Sequence, residues 1–198
     1  MSTTPLAVPT SETPWRLPSR GRVGMFSLIA AESAIFTIFV VAYIFYIGKS
    51  LSGPTPQLVL RVPIFATICL LSSSLTIHLA VRALEKGTIG LFKLLWFLTL
   101  SLGAIFLIMT GREWHHLIYE EGLTISTNLF GTTYYSLVGL HAFHVTVGLI
   151  GLMTVMLLAL AGRVKQDRAY QVGVLSLYWH FVDAVWVVVL TTVYIVGR

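Results

Sequence analysis

Charged residues are scarce in this 198-residue chain, where Asp, Glu, Lys and Arg together make up only 11% of the residues. Hydrophobic residues make up 56%, and the mean hydropathy is +0.84. Soluble domains carry about 25% charged residues, so this composition argues against a soluble protein. It is typical of an integral membrane protein.

Cysteine is also nearly absent. The single Cys69 lies inside an apolar run, so the chain can build neither a disulfide framework nor a cysteine-based zinc cluster. The sequence has no Gly-rich phosphate loop, no Cys-x-x-Cys-His haem attachment and no His-Glu-x-x-His motif. It also lacks the inverted pair of broken helices that builds a transporter site. These absences leave no catalytic residue to assign.

Long hydrophobic runs are abundant instead, and five of them can cross a membrane, because about 20 helical residues span roughly 30 Å of hydrocarbon. They show no alternation of polar and apolar positions, which excludes the strands of a barrel. The sequence therefore predicts an all-α integral membrane bundle of five transmembrane helices over residues 23–198, with residues 1–22 as a flexible inner tail. The predicted spans are Gly24–Ile47, Val62–Val81, Leu91–Thr110, Leu129–Ala161 and Val172–Val196.

The connections between these spans are predicted to be short. The longest is the outer loop Gly111–Asn128, which contains Arg112, Glu113 and two histidines. On the inner side, Arg82–Gly90 and Arg163–Tyr170 are predicted to be tight turns.

The Lys and Arg residues predict the orientation. With the N-terminus inside, nine of the thirteen fall on the inner side and four on the outer side, which favours a cytoplasmic N-terminus and an outer C-terminus. These loop residues also account for the isoelectric point near 9.6, so they indicate contact with anionic lipids rather than nucleic acid. We expect lipid headgroup contacts at His78, Arg82, Arg163 and Lys165.

Ionisable residues inside the spans are the main candidates for function. His180 and Asp183 lie at positions i and i+3 of the last span and share one helix face. Counting 1.5 Å per residue from the inner ends places Glu32 and His180 about 12 Å deep and Asp183 about 16 Å deep. The sequence therefore predicts that Glu32, His180 and Asp183 form one buried polar layer. Interhelical hydrogen bonding and a role in proton or cofactor chemistry remain equally open for it.

The fourth span carries a second polar feature. His141, His144 and Gly148 follow the spacing i, i+3, i+7, which predicts a stripe that packs closely against another helix. The same depth count places both histidines in the outer half, so His144 and His180 differ in depth by about 12 Å. Such a mismatch disfavours a bis-histidine haem site. A metal site at the polar layer is also disfavoured against a cluster of hydrogen bonds.

Two long motifs resemble subunit III of the haem–copper terminal oxidases, the cytochrome c oxidase subunit 3 family. They are residues 131–148 (GTTYYSLVGLHAFHVTVG) and residues 178–186 (YWHFVDAVW), and the short run 31–33 (AES) accompanies them. The resemblance covers residues 20 to 198. Many members have seven helices, whereas this chain is similar to the five-helix bacterial form.

The resemblance implies a subunit that binds neither haem nor copper itself and packs against catalytic subunit I, where a partner holds those cofactors. It also implies phospholipid in a cleft between helices, support of proton uptake, and protection of subunit I from inactivation. The expected setting is the respiratory chain of a bacterial cell membrane, where oxygen reduction is coupled to proton translocation.

Other functions remain open from the sequence. We expect the cytochrome c oxidase branch, with subunit III of a quinol oxidase as the alternative. A haem-binding quinol dehydrogenase that uses the intramembrane histidines, and a proton-coupled carrier that uses Glu32 and Asp183, are further alternatives.

Overall fold

The computed structural model describes residues 20–50 and 53–197, and this part of the chain is helical with no strand. The helices are α1 (Arg20–Tyr46), α2 (Pro56–Val59), α3 (Ile64–Glu85), α4 (Ile89–Tyr119), α5 (Leu129–Leu160) and α6 (Ala169–Leu190). A 3₁₀ turn (Gln166–Arg168) precedes α6, and a π-helical turn (Thr191–Val196) follows it. Residues 1–19 of the predicted tail lie outside the described residues, while residues 20–22 already belong to α1.

Among the described residues, five helices are long and apolar enough to cross a membrane, which confirms the predicted fold class. They are α1, α3, α4, α5, and α6 together with its flanking turns. The remaining helix, α2, has only four residues and lies in the connection between α1 and α3. We call the end of the bundle where α1 begins the N-terminal end, and the end where α1 stops the C-terminal end.

The predicted loop Gly111–Asn128 is wrong over its first half, because α4 continues to Tyr119. With 31 residues, α4 is about 46 Å long and projects beyond a hydrocarbon layer of about 30 Å. Polar residues therefore sit on a helix where the sequence suggests a loop. Leu117, in this projecting part, is fully buried against the rest of the bundle.

The five long helices form a ring in the order α1, α5, α4, α3, α6. Helices α5 and α6 also contact each other directly across the ring. Helices α3 and α4 share the most extensive contact in the bundle. They are joined by a tight turn in which Gly87 has a φ of 75°. Because α5 and α6 each touch three other long helices, this pair forms the centre of the bundle.

Three fully buried tryptophans define the core, and each indole N–H is satisfied, as buried indoles require. Trp96 donates to the carbonyl of Leu152, Trp179 to the hydroxyl of Ser73, and Trp186 to the hydroxyl of Thr67. A Cβ on Gly148 would come within 2.8 Å of the Trp179 ring. The glycine therefore allows α5 to approach α6 closely.

Candidate functional site

The clearest polar contact between two spans joins Glu32 on α1 to His144 on α5. The Oε2 of Glu32 lies 3.1 Å from the Nε2 of His144. The Nδ1 of the same imidazole lies 2.8 Å from the carbonyl oxygen of Leu140, one turn earlier. The His144 side chain is nearly buried, whereas the Glu32 side chain is 22% exposed. The pair therefore opens at the edge between α1 and α5.

The hydrogen bonds of this pair fix how many protons it holds. A carbonyl oxygen can only accept, so the Nδ1 of His144 carries a hydrogen that it donates to Leu140. The contact between Nε2 and the Glu32 carboxyl then needs a second proton, on either the imidazole or the carboxyl. The pair thus shares one proton at a partly exposed position inside the membrane-spanning region.

Counted along the predicted spans, His144 lies about 12 Å from the level shared by Glu32 and His180. The contact between Glu32 and His144 shows that this count is wrong for Glu32. Because α1 begins at Arg20, Glu32 lies about 18 Å from its helix start, and His144 lies about 24 Å from the end of α5. The remaining difference is small for helices that need not run parallel to the membrane normal. Counting along single helices cannot detect such a difference in tilt.

His180 and Asp183 gather around a serine on α3 rather than around Glu32. The hydroxyl of Ser74 lies 2.7 Å from the Nδ1 of His180, and it also lies beside Asp183. The ring of His78 is 6.4 Å from that of His180, centroid to centroid. In the described part of the chain, no hydrogen bond joins Glu32 to either His180 or Asp183. The predicted polar layer is thus divided between two contacts.

Asp183 itself is unusual. It is only 3% exposed, and neither carboxylate oxygen has a hydrogen-bond partner among residues 20–50 and 53–197. Buried polar atoms in native proteins nearly always have such a partner. Both oxygens are enclosed within the bundle, so they remain available to a proton or to an internal water molecule.

The stripe His141, His144 and Gly148 lies against α6. The ring of His141 is 5.0 Å from that of Trp186, and the carbonyl of His144 accepts from the hydroxyl of Tyr178. Neither ring nitrogen of His141 has a partner within the described residues. Aromatic packing holds this histidine.

A third polar cluster lies at the C-terminal end and was not predicted from the sequence. The Oε1 of Glu113 accepts from the hydroxyl of Tyr194 at 2.8 Å and, more weakly, from that of Tyr134 at 3.5 Å. The two hydroxyls lie 3.3 Å apart. The cluster ties α4 and α5 to the π-helical turn. Its sequence signal was the continued helical spacing of Thr110, Trp114 and Leu117, which face the bundle beyond the predicted end of the span.

The four predicted headgroup residues all lie towards the N-terminal end of the bundle, where His78, Arg82, Arg163 and Lys165 are exposed. Arg82 occupies the last turn of α3. Their contact with lipid stays a prediction.

The family model described as cytochrome c oxidase subunit III matches residues 20–198, a range that includes every described residue. The chain belongs to this family. The match spans all five membrane-crossing helices and includes every polar contact described above.

Individual relatives agree with this assignment. The chain is 32% identical to cytochrome c oxidase subunit 3 of Alkalihalophilus pseudofirmus over 88% of its own length and 86% of that protein. It is 38% identical to the Synechocystis protein of the same name, over 90% and 76% of the two chains. It is also 32% identical to cytochrome bo(3) ubiquinol oxidase subunit 3 of Pseudomonas aeruginosa, over 88% and 84%. Subunit III homologues thus occur under both oxidase names.

In this subunit III homologue, the polar side chains form small separate groups. No three His, Cys, Asp or Glu side chains come together in a metal-binding arrangement among the described residues. His144 uses both ring nitrogens in hydrogen bonds, and Ser74 occupies one of those of His180. What the arrangement offers chemically is proton binding at Glu32–His144 and at Asp183.

Proposed function

We propose that this chain is the non-redox subunit III of a respiratory haem–copper oxidase, where it stabilises catalytic subunit I and supports proton uptake by that subunit. The observation that carries the proposal is the family match over residues 20–198. Haem and copper then belong to partner subunits, and phospholipid fills the exposed apolar surfaces. We place the complex in the cell membrane, with the N-terminus of this chain cytoplasmic and its C-terminus outside.

Support for the role in proton uptake comes from the Glu32–His144 pair. It holds a shared proton in a partly exposed position, so it can exchange that proton with water or with a group on a neighbouring subunit. Asp183 offers a second, deeper group whose oxygens are not committed within the described chain. The Glu32–His144 pair opens at the edge of the bundle, where a partner, water or lipid can complete it, whereas the oxygens of Asp183 are enclosed within the bundle.

The electron donor that we propose is cytochrome c, since several of the relatives carry the name cytochrome c oxidase subunit 3. A quinol oxidase is the second candidate, favoured by the Pseudomonas aeruginosa relative named for ubiquinol. Purified complex supplied with either reduced cytochrome c or a quinol would separate the two candidates by the donor that sustains oxygen consumption. The contacts described above give no specific support to a haem-binding quinol dehydrogenase or to a proton-coupled carrier.

The central experiment removes this subunit from the purified oxidase and follows oxygen consumption with time. We expect a near-normal initial rate when protons are plentiful, followed by progressive loss that added subunit prevents. Immediate loss of turnover, in a complex that keeps its haems and copper, would show direct participation in the chemistry and contradict the proposal. The isolated subunit should show only protein absorption bands, without a Soret band.

Orientation can be tested by labelling single cysteines on a Cys69→Ala background. Lys86→Cys and Ser126→Cys lie in exposed positions at opposite ends of the bundle. In sealed right-side-out vesicles, a membrane-impermeant maleimide should reach Ser126→Cys and not Lys86→Cys. The reverse pattern would mean that the N-terminus faces outward.

A further inference from the structure

Two tyrosine hydroxyls meet a carboxyl group at the C-terminal end of the bundle. Tyr194 donates to Glu113 at 2.8 Å, and the hydroxyl of Tyr134 lies 3.5 Å from the same oxygen atom. Three other hydroxyls donate to backbone carbonyl oxygens instead, namely those of Tyr43, Tyr135 and Tyr178. A carbonyl oxygen accepts a hydrogen bond but does not keep the proton, whereas a carboxylate can take it. The contact between Tyr194 and Glu113 therefore has the geometry needed for proton transfer.

Glu113 also connects these buried hydroxyls to the surface. Tyr134 and Tyr194 are at most 2% exposed, whereas Glu113 is half-buried. Glu113 lines a cavity of about 330 Å³ together with Arg61 and Arg112, and both arginines are exposed. A proton that reaches the carboxyl group from Tyr194 can therefore leave through this cavity.

Tyr194 belongs to a continuous series of aromatic rings that can each lose an electron. Towards the core, its ring centroid lies 6.4 Å from that of the buried Trp186. Towards the surface, its hydroxyl lies 3.3 Å from that of Tyr134, whose ring is 5.1 Å from Tyr135. The ring of the half-buried Trp114 follows, 5.5 Å from that of Tyr135. These centroid distances are those of aromatic rings in contact, so the series offers short steps for an electron between core and surface.

The π-helical turn Thr191–Val196 places Tyr194 in this series. Helix α6 is α-helical up to Leu190 and then changes to the wider turn. Because hydrogen bonds in a π turn join residues i and i+5, the direction in which Tyr194 points differs from that in a continued α-helix. Such turns occur frequently at functional sites.

We propose that Tyr194 is a redox-active tyrosine that carries single oxidising equivalents from a neighbouring subunit to the surface of this chain. The oxidant is a haem-based one-electron oxidant that forms during oxygen reduction in that subunit. The oxidant gains one electron, the O–H bond of Tyr194 breaks, and the proton moves to the carboxylate of Glu113. The products are the reduced oxidant, a neutral tyrosyl radical and a protonated Glu113.

The return step restores Tyr194. One electron moves from Trp114 through Tyr135 and Tyr134 to Tyr194, and the proton returns from Glu113. The oxidised Trp114 then takes an electron from a one-electron reductant at the surface, such as a thiolate. The source of the oxidant rests on the proposed function, whereas the chemistry of Tyr194 and Glu113 does not.

The first test supplies its own oxidant to the intact oxidase complex. A thiol-reactive ruthenium photosensitiser is attached to Ile118→Cys on a Cys69→Ala background, because Ile118 is exposed and lies one turn after Trp114. Illumination with a soluble electron acceptor converts the label into a one-electron oxidant at the surface end of the series. We expect a tyrosyl radical in the electron paramagnetic resonance spectrum, and its absence from a complex treated identically without Ile118→Cys.

Three variants assign this radical. Tyr194→Phe should lose most of the signal, because it removes the hydroxyl closest to the carboxylate. Glu113→Gln should lose it as well, since an amide oxygen accepts the hydrogen bond but does not take the proton. Tyr43→Phe is the matched control and should keep the full signal, because Tyr43 is equally buried and donates to a carbonyl oxygen. Recovery of the whole complex checks that each variant assembles.

The second test uses the unlabelled complex during oxygen consumption, with a nitroso spin trap in solution. Mass spectrometry should find a trap adduct on Trp114, the surface end of the series. Tyr194→Phe should lose this adduct, because it interrupts the series before Tyr134.

Two results of the first test would overturn the redox role of Tyr194. They are a tyrosyl signal that is absent or unchanged in Tyr194→Phe, and an unchanged signal in Glu113→Gln, which would leave the contact purely structural. A positive first test without a Trp114 adduct during oxygen consumption would overturn the supply of oxidant by a neighbouring subunit. Failure at the tyrosine and failure of the setting in an oxidase are thus told apart.

Discussion

Glu113 and Asp183 are both acids on membrane-spanning helices, yet the bundle treats them differently. Glu113, at the C-terminal end of α4, receives hydrogen bonds from two tyrosine hydroxyls on other parts of the chain. Asp183, deep in α6, receives none from the described residues. The sequence alone points to Asp183 as a candidate for function and predicts that Glu113 lies in a loop.

Glu113 is thus an acid whose hydrogen bonds hold separate segments together, whereas Asp183 has no hydrogen-bond partner among the described residues. A polar cluster that closes upon itself adds cohesion between helices, and removing one member leaves the others unsatisfied. A buried acid without an internal partner adds no such cohesion, so the presence of Asp183 points to a bound proton or an internal water molecule. Glu32 is intermediate, since it has an internal partner and partial exposure.

The largest effect on stability is expected from Glu113→Leu. It leaves the hydroxyls of Tyr134 and Tyr194 with only each other, so we expect a loss of about 2 kcal/mol in the free energy of unfolding. Titration of the purified complex with SDS, followed by tryptophan fluorescence, measures it. Glu120→Leu on the same helix is the control, because the Glu120 side chain is 65% exposed and its replacement should change little. Equal effects of the two variants would remove the distinction.

Tyr194→Phe tests the same hydrogen-bonded cluster with a smaller change in the side chain. It deletes one hydroxyl and leaves Glu113 with the longer contact to Tyr134, for an expected loss of about 1 kcal/mol. A double-mutant cycle with Glu113→Leu should give a coupling of comparable size, because the two residues act through one hydrogen bond. Simple additivity of the two losses would contradict the cluster.

Much of the fold can be predicted from the sequence, because a helix that crosses hydrocarbon needs a long apolar run. Such runs can be read directly from the order of the residues. The end of α4 was missed by nine residues, since a helix that leaves the hydrocarbon accepts Arg112 and Glu113 as readily as a loop does. The close approach of Gly148 to α6 agrees with the spacing of the stripe to which it belongs. Spacing within one helix reports which residues share a face.

The pairing of Glu32 with His144 could not be derived in the same way. It depends on which helices are neighbours and on how far each is displaced along the membrane normal. Neither quantity is encoded in the length of a single span. The same reason explains why the cluster of Glu113, Tyr134 and Tyr194 was missed, since it joins three separate segments.

A third prediction concerns the intermediate case. Glu32→Gln keeps a side chain that can donate to the Nε2 of His144, so stability should change by less than about 0.5 kcal/mol. Glu32→Leu removes that partner and should lose about 1 kcal/mol. The same SDS titration compares the two variants. If Glu32→Gln keeps stability but shortens the period of oxygen consumption during turnover, the shared proton matters for function. If both variants lose stability equally, the charge itself holds α1 to α5.

Asp183→Asn is expected to have the smallest effect on stability. Asparagine has nearly the volume of aspartate and exchanges one carboxylate oxygen for an amide nitrogen. Because neither carboxylate oxygen makes a hydrogen bond within the described chain, the change should stay below about 0.5 kcal/mol. The new amide can donate to the hydroxyl of Ser74, which already lies beside this position. Against this stable background, any change in the rate or duration of oxygen consumption reports proton exchange at Asp183, and Ser74→Ala should move it in the same direction. A loss of stability as large as that of Glu113→Leu would instead show that Asp183 is structural, through an enclosed water molecule or through the Ser74 hydroxyl beside it. The contrast between the two acids would then be lost.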